Sequence, residues 1–452
     1  MTSNKYLLTI ISTVALGGFL FGFDTAVISG AIPFIKEHFQ LNETLEGWAV
    51  GCVILGCMLG ALTSGYFGDL FGRRKVLIVT GIMFIASALG TALTNDFTVF
   101  IIMRIIGGIG VGSASVLSPT YIAEISPSAI RGKMVSLNQL AIVSGILIVY
   151  FTNYMFLGVG EDNWRYMLAS ESLPALVFII ALFFIPESPR WLVKKNKEQE
   201  AVAVLDKLYT PTDSRKVLGQ IKESLTNINK VKISELFEGN MKKILLIGTV
   251  LACLQQVTGI NAVIYYAPTI FLKSGASLAS SFWQPVMIGA INFIFTIVAI
   301  SLIEKVGRKT LMLYGSAGMG ISLTFLVGAF FFDMLEGYWV LVFILGYIAS
   351  FAASLAPVMW VVVSELFPNR LRGAAMSFST FFHWTCTFVV VQTFPWLLAF
   401  MGGAFAFGIF AVLSLFTFIF IYKYVPETKG MTLENLEKKY VTPKAKTTYE
   451  HV

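Results

Sequence analysis

The chain is a succession of long apolar runs separated by short polar segments. A helix needs about 20 apolar residues to cross the ~30 Å hydrocarbon core of a bilayer, where the backbone has only itself as a hydrogen-bond partner. The first run is retained as a span in this interpretation, because it is too long for a cleaved signal. The pattern predicts an all-α integral membrane protein with twelve transmembrane helices, called spans 1 to 12: 6–34, 46–70, 75–95, 98–124, 131–156, 165–185, 241–271, 281–304, 309–333, 338–366, 371–399 and 402–424.

The longest charged stretch divides these spans into two sets of six. It contains short helical patterns such as EAVAVLDKL at 200–208. The expected domains are an N-terminal six-helix bundle, a cytoplasmic helical linker, a C-terminal six-helix bundle and a cytoplasmic tail, at 1–186, 187–240, 241–424 and 425–452.

Three motifs of the first half recur in the same order in the second. The pairs are GDLFGRRK (68–75) with IEKVGRKT (303–310), AEISPSAIRG (123–132) with SELFPNRLRG (364–373), and PESPRWL (186–192) with PETKG (426–430). Each second copy follows its partner by about 240 residues, and such repeats are typical of transporters that bind substrate between two related bundles. The two bundles are therefore expected to be pseudo-symmetric.

The composition supports a protein embedded in lipid. Of its 452 residues 56% are hydrophobic and 13% are charged, with a net charge of +7, whereas a soluble domain is about 25% charged. Soluble enzymes, secreted disulfide scaffolds, disordered chains and nucleic-acid binders are excluded on this ground. The lipid bilayer is the expected partner, with no nucleic acid.

The placement of basic residues predicts the orientation. Lys36, Arg165 and Lys273 lie in loops on one side, Arg104 lies inside span 4, and the other Lys and Arg residues lie on the opposite side with both termini. The positive-inside rule makes that opposite side cytoplasmic. No spacing of Cys or His residues is typical of a metal site, so neither metal nor cofactor is expected.

The motifs resemble those of the major facilitator superfamily and, within it, the sugar porter family. They are GDLFGRRK, RxxxGxxxG in span 4 (Arg104, Gly108, Gly112), PESPRWL after span 6, QQVTGINAVIYY in span 7 and PETKG after span 12. The resemblance covers about residues 10–440. The segment FGFDTAVISG (21–30) is most similar to bacterial proton-coupled monosaccharide symporters of the xylose and glucose type. The resemblance implies the major facilitator fold and transport by alternating access.

Span 7 carries a cluster of polar groups suited to a sugar: Gln255, Gln256, Asn261 and Tyr265. A sugar presents hydroxyls that both donate and accept hydrogen bonds, as amides do, and amides inside a membrane are costly when unpaired. The Thr258-Gly259 pair is expected to loosen the helix so that several of these groups reach a cavity. The alternative for each amide is an ordinary interhelical hydrogen bond.

The resemblance adds sugar-binding positions in other spans: Phe21, Gln139, Asn292, Trp360, His383 and Trp384. His383 departs from the Gln or Asn that sugar symporters usually carry there. Its effect on selectivity and pH response stays open, because a neutral histidine bonded to a neighbouring helix is the alternative.

Two opposite charges lie inside apolar spans. Asp24 is near the middle of span 1 and Arg104 is in span 4, so they are expected to pair. The hypothesis is a proton switch: proton uptake by Asp24 releases Arg104, and proton loss resets the pair. The resemblance implies the same, because this aspartate carries the proton in such symporters. A static structural ion pair is the alternative.

The charges at the cytoplasmic ends of the spans are interpreted as a gate. By family pattern the residues are Asp69, Arg73, Arg74, Glu124, Arg131 and Glu187 in the first half, and Glu304, Arg308, Glu365, Arg372 and Glu427 in the second. Such networks are expected to close the inner side and to break when it opens. The alternative is a static orientation signal.

Uptake of a monosaccharide by proton symport is the leading functional prediction. The alternatives are an uncoupled sugar uniporter and a proton-coupled polyol (inositol) transporter. Enzyme activity is not expected, because the sequence shows no HExxH, nucleotide loop or catalytic triad. The expected location is the plasma membrane of a bacterium (its inner membrane), where the chain is multi-pass and monomeric.

Overall fold

The computed structural model describes residues 4–127, 130–226, 233–335, 338–368 and 370–430. In these ranges the chain forms α-helices together with one 3₁₀-helix and one π-helical turn. Residues 431–452 of the expected tail and 227–232 of the expected linker lie outside the described residues.

The helices follow the order of the apolar runs. The first half contains α1 (Asn4–His38), α2 (Glu43–Phe71), α3 (Arg73–Leu93), α4 (Phe97–Ile125), α5 (Arg131–Phe156), α6 (Asn163–Ala169) and α7 (Ser172–Phe183). The linker contains α8 (Pro189–Lys194), α9 (Glu198–Leu208), α10 (Pro211–Thr226) and the 3₁₀-helix Ile233–Phe237. The second half contains α11 (Gly239–Val257), α12 (Ile260–Lys273), α13 (Leu278–Val306), α14 (Arg308–Phe331), α15 (Trp339–Ala352), α16 (Leu355–Leu366), α17 (Arg372–Trp396), the π-helical turn Leu397–Met401 and α18 (Gly402–Tyr424).

Within the described ranges, eleven helical segments are long and apolar enough to cross a membrane. The last of them, Arg372–Tyr424, is 53 residues long and contains both α17 and α18. The π-helical turn and Gly402, which has a φ of 77°, separate these two helices. Counting them as two spans gives twelve, so the predicted all-α, twelve-helix membrane architecture is confirmed.

Three spans are broken near their middle, where span 6 is α6 and α7, span 7 is α11 and α12, and span 10 is α15 and α16. Pro174 and Pro357 follow two of the breaks, and each lacks the N–H that the carbonyl four residues earlier would accept. At the third break Gly259 has a φ of 94°, which favours glycine. Non-helical backbone at membrane depth is tolerated where it is buried in protein or lines a cavity, so the breaks indicate functional positions.

Helices of each half pack mainly on one another. In the first half α4 packs on α2 and α3, and α1 packs on α5; in the second, α14 packs on α15 and α18, and α11 on α17. The halves meet where α2 packs on α17, α5 on α13 and α1 on α12. The linker helix α9 lies beside the start of α1, so we call this face of the molecule the linker side.

On the side opposite the linker the two halves are joined directly. The Tyr150 hydroxyl donates to the carbonyl oxygen of Ile264 at 2.8 Å, and Gln392 Nε2 donates to the carbonyl oxygen of Thr44 at 2.9 Å. The ring centroids of Phe34 and Phe282 are 6.0 Å apart across the same interface. These contacts close the interface on that side.

Candidate sugar and proton site

The first half contains a fully buried ion pair. Arg104 Nη1 on α4 donates to Asp24 Oδ1 on α1 at 2.9 Å, and the two side chains are 2% and 1% exposed. Nε and Nη2 of Arg104 have no hydrogen-bond partner among the described residues. A buried ion pair is stabilising only when its remaining donors are also satisfied. The unpaired donors of Arg104 therefore favour an ion pair that forms and breaks rather than a static structural one.

A third buried charge lies beside this pair. Glu171 is 2% exposed at the break between α6 and α7, and it interacts electrostatically with Asp24 and Arg104. Its Oε1 has no hydrogen-bond partner within the part of the chain that the structure describes. The sequence analysis missed Glu171, although a lone acid inside an apolar span was the available signal. Two carboxylates against one guanidinium leave a net negative charge, which binding of one proton removes.

The amides of span 7 form one hydrogen-bonded chain around the helix break. Asn261 Nδ2 donates to Gln256 Oε1 at 2.6 Å, and Gln256 Nε2 lies 3.3 Å from Gln255 Oε1. Gln255 Nε2 donates to the carbonyl oxygen of Leu355 at 2.7 Å, at the break in span 10. The chain therefore links the two broken spans.

Local contacts stabilise the break in span 7. The Thr258 hydroxyl donates to the carbonyl oxygen of Gln255 at 2.9 Å, and Tyr347 donates to the carbonyl oxygen of Thr258 at 3.0 Å. A Cβ at Gly259 would lie 2.4 Å from the Phe410 ring. The open turn places the two glutamines on α11 next to Asn261 on α12.

Aromatic rings surround the amides. The centroid of the His383 ring is 5.0 Å from that of Trp360 and 5.6 Å from that of Trp384. Phe21, on α1 of the first half, lies 6.0 Å from Trp384. Flat apolar faces next to hydrogen-bonding groups fit a ligand with hydroxyls on its rim and C–H groups on its faces.

Tyr265 connects the two sites. Its side chain lies close to Thr25, the residue after Asp24, and interacts electrostatically with Asp24 and Arg104. Tyr265 lies on α12, one turn after Asn261. A change in the Asp24–Arg104 pair can therefore reach the amide chain through Tyr265.

The structure does not bring every sequence-predicted residue into the cluster. Gln139 is half-buried on α5, and Asn292 is 4% exposed on α13. Within the described residues neither one hydrogen-bonds to the amide chain. Their role at the sugar stays a prediction.

The linker side of the first half contains a charge network. Arg73 pairs with Asp69 at 2.8 Å and with Glu124 at 2.9 Å, and Glu124 also accepts a hydrogen bond from Ser188. Glu187 accepts main-chain N–H groups of Arg73 and Arg74 at 3.0 and 3.1 Å. Burial raises the pKa of Glu187, and these main-chain hydrogen bonds partly oppose the rise.

Two arginines of this predicted gate make contacts different from those expected. The guanidinium of Arg131 reaches the carbonyl oxygen of Ser126 at 3.5 Å rather than a carboxylate, and Arg74 meets Glu187 through its main-chain N–H. Lys194, which was not singled out, pairs with Asp69 at 2.7 Å. The linker helix α8 thus belongs to the network.

The second half repeats the arrangement. Arg308 pairs with Glu304 at 2.8 Å and Glu365 at 3.1 Å, and Glu365 accepts from Thr428 at 2.5 Å. Glu427 accepts the main-chain N–H groups of Arg308 and Lys309 at 3.0 and 3.1 Å. The Arg372 guanidinium donates to the carbonyl oxygen of Phe367 at 3.1 Å. Each network therefore joins helices of its own half, and the first network also joins the linker helix α8 to them.

No group of three or more His, Cys, Asp or Glu side chains that could hold a metal ion occurs in the described part of the chain. The chemistry available at the site is hydrogen bonding, ring packing and proton binding.

Comparison with known proteins identifies the family. The chain matches the family described as sugar (and other) transporter over residues 10–440. It is 40% identical over 445 residues to the arabinose-proton symporter of Bacillus subtilis (strain 168), covering 97% of this chain and 96% of that one. It is 39% identical over 473 residues to the D-xylose-proton symporter of Escherichia coli (strain K12), covering 96% of each. The inward-open structure of the xylose transporter XylE from E. coli matches with a TM-score of 0.86 and 38% identity, over 96% of this chain and 100% of that chain. The chain belongs to the sugar transporter family of the major facilitator superfamily.

Proposed function

We propose that the protein transports a monosaccharide together with a proton by alternating access. The observation that carries the proposal is the buried Asp24–Arg104 pair, 2.9 Å long, which interacts electrostatically with Tyr265 on the sugar-site helix α12. A facilitator without coupling has no need of an incompletely satisfied ion pair at that position. The similar symporters for arabinose and xylose support the same class of substrate.

In the proposed cycle Asp24 takes up the proton. Neutralising the carboxylate weakens its bond to Arg104, whose freed donors then turn to the adjacent Glu171. The movement of α1 against α4 displaces Thr25 and hence Tyr265 on α12. Sugar bound between the amides and the rings is thereby coupled to the protonation state, because each ligand favours the same arrangement.

The proposed gating follows from the contacts on the two sides of the interface between the halves. The contacts opposite the linker close one entrance, and the linker-side networks hold each half together as a rigid unit. The proposed transition is a rocking of these units about the sugar, which opens one side as it closes the other. The gate residues named in the sequence analysis act in this proposal by keeping each half intact.

The linker side is proposed to be cytoplasmic, with both termini on it, because most Lys and Arg residues lie there. We propose a monomer in the plasma membrane of a bacterium. The lipid bilayer is the expected partner of the exposed apolar side chains around the helices.

Transport in proteoliposomes tests the proposal. The panel is radiolabelled xylose, arabinose, glucose, galactose and inositol, with and without an inward proton gradient. Accumulation of a sugar only with the gradient, and its loss in Asp24→Asn with sugar exchange retained, is the expected result. Asp206→Asn, an exposed carboxylate on α9, is the matched control and should transport normally. Undiminished accumulation by Asp24→Asn would refute proton coupling at this residue.

A further inference from the structure

The direction of every hydrogen bond in the amide chain is fixed by main-chain carbonyls. Gln255 Nε2 faces the carbonyl oxygen of Leu355 at 2.7 Å, and a carbonyl can only accept, so Gln255 presents Oε1 to Gln256. Gln256 must then present Nε2 to that oxygen, which leaves Gln256 Oε1 facing Asn261 Nδ2 at 2.6 Å. The orientation of three amides thus follows from one carbonyl.

A second carbonyl fixes the tautomer of His383. Its Nδ1 lies 3.3 Å from the carbonyl oxygen of Ala252, so Nδ1 carries the hydrogen. Its Nε2 lies 3.3 Å from Gln256 Nε2, which is already a donor, so the ring nitrogen must accept. Only the neutral ring with a bare Nε2 satisfies both contacts. A hydrogen on Nε2 would face a donor and force the Gln256 amide to turn, which breaks its bonds to Gln255 and Asn261.

We propose that His383 is a positioning residue that locks the Gln256 amide, so that both glutamines offer the sugar only hydrogen-bond acceptors. This inference rests on the proposed sugar transport and deepens it. Both N–H groups of Gln256 are used by Gln255 and His383, and those of Gln255 face the carbonyl oxygens of Leu355 and Ala356. One lone pair remains on each glutamine oxygen. Counting partners within the described part of the chain, Asn261 alone of these amides keeps both a free N–H and a free oxygen.

The locked amides select the kind of sugar group that can bind. A hydroxyl donates to a glutamine oxygen, whereas fluorine in its place has no hydrogen to donate. The site therefore requires hydroxyl donors at the ring positions that the glutamines contact. With glutamine in place of His383, the side chain can either donate or accept, and Gln256 is free to turn its N–H groups toward the ligand.

Nitrogen NMR of the histidine rings tests the tautomer directly. The chain contains three histidines, so protein labelled with ¹⁵N-histidine and purified through a histidine-free tag gives few signals. His383→Gln identifies the signal of interest, and His38→Gln serves as the control. The expected result is a neutral ring with hydrogen on Nδ1 at pH 7. A hydrogen on Nε2 would overturn the proposal.

Binding of fluorinated sugars tests the selectivity. Xylose, glucose and their single-position deoxyfluoro analogues are titrated by tryptophan fluorescence, which Trp360 and Trp384 beside the ring make informative. In the wild type at least one analogue should bind about tenfold more weakly than its parent, as expected for one lost hydrogen bond. In His383→Gln the dissociation constant of that analogue should exceed that of its parent sugar by about threefold or less. An unchanged ratio in the variant would refute the positioning role.

The two readouts separate the two proposals. If none of xylose, arabinose, glucose and galactose binds the wild type, monosaccharide transport fails, while the NMR result still decides the orientation of the ring. If the sugars bind and the ring has its hydrogen on Nε2, sugar transport stands and the positioning role fails.

Discussion

The two halves of the molecule share an architecture but differ in the chemistry at their centre. The first half buries ionisable side chains, Asp24, Arg104 and Glu171. The second half buries the neutral side chains of Gln255, Gln256, His383 and Trp384. A proton is recognised by charge and a sugar by hydroxyl geometry, so each half contains the groups that one of the two proposed ligands needs.

At the linker side the halves are nearly equivalent. Arg73, Glu124 and Ser188 in the first half correspond to Arg308, Glu365 and Thr428 in the second, with matching ion pairs and hydrogen bonds. Nε of each arginine lacks a partner among the described residues. The repeat thus keeps the groups that hold each bundle together and diverges where ligands bind.

The largest effect is expected from Arg104→Gln. The change leaves Asp24 and Glu171 without a cation, and breaking a buried ion pair costs about 3–5 kcal/mol. The thermal unfolding midpoint in detergent should fall sharply and coupled uptake should be lost. Arg215→Gln, at an exposed position on α10, is the control. Adding Asp24→Asn to Arg104→Gln should restore part of the stability, and a midpoint equal to that of the wild type in the single variant would contradict the charge balance.

A smaller loss of stability is expected in the second half from Gln256→Leu. The change leaves unpaired His383 Nε2, one Gln255 lone pair and one Asn261 N–H, but no charge, at a cost of about 1–3 kcal/mol. Sugar affinity should fall at least about tenfold because the lost acceptor faces the ligand. Isothermal titration calorimetry with the transported sugar measures this. If the midpoint falls as far as in Arg104→Gln, the contrast between charged and neutral halves is wrong.

Much of the fold could be predicted because the bilayer sets the length of each apolar run. The span limits agree closely with the helices, and the break in span 7 followed from Thr258-Gly259. The breaks in spans 6 and 10 were missed, although Pro174 and Pro357 lie near them. A proline inside an apolar run is also compatible with an unbroken helix, so the pattern alone does not decide between the two.

The site could be predicted in its residue types but not in its connections. The amides and the two lone charges were evident because polar groups are costly in lipid. The direction of the amide chain and the tautomer of His383 were not, since they depend on the carbonyl oxygens of Leu355 and Ala252 respectively. These belong to helices whose relative position no local pattern encodes. The same holds for the approach of Lys194 to Asp69.

A matched pair of variants compares the linker-side networks. Glu124→Gln and Glu365→Gln each weaken two contacts of a carboxylate, one to arginine and one to a hydroxyl. The Glu124 side chain is 8% exposed and that of Glu365 is 21% exposed. Because solvent screens the second site more, Glu124→Gln should lower the unfolding midpoint more, at about 1–2 kcal/mol. Equal midpoints for the two variants would mean that burial does not distinguish the networks.

The smallest effect is a pH dependence of stability contributed by Glu187. Burial raises the pKa of this carboxyl above its ordinary value, despite the main-chain N–H groups that it accepts. The folded protein therefore binds this proton more tightly than the unfolded chain, and stability falls as pH rises from the unfolded pKa through the folded one. Glu187→Gln removes the titration, so the unfolding midpoint of the wild type should fall relative to that of the variant as the pH rises from about 4 to 7. If the plots of unfolding midpoint against pH run parallel for the two proteins, the pKa of Glu187 does not differ between the folded and unfolded states. The pH response of the first-half network would then come from other groups.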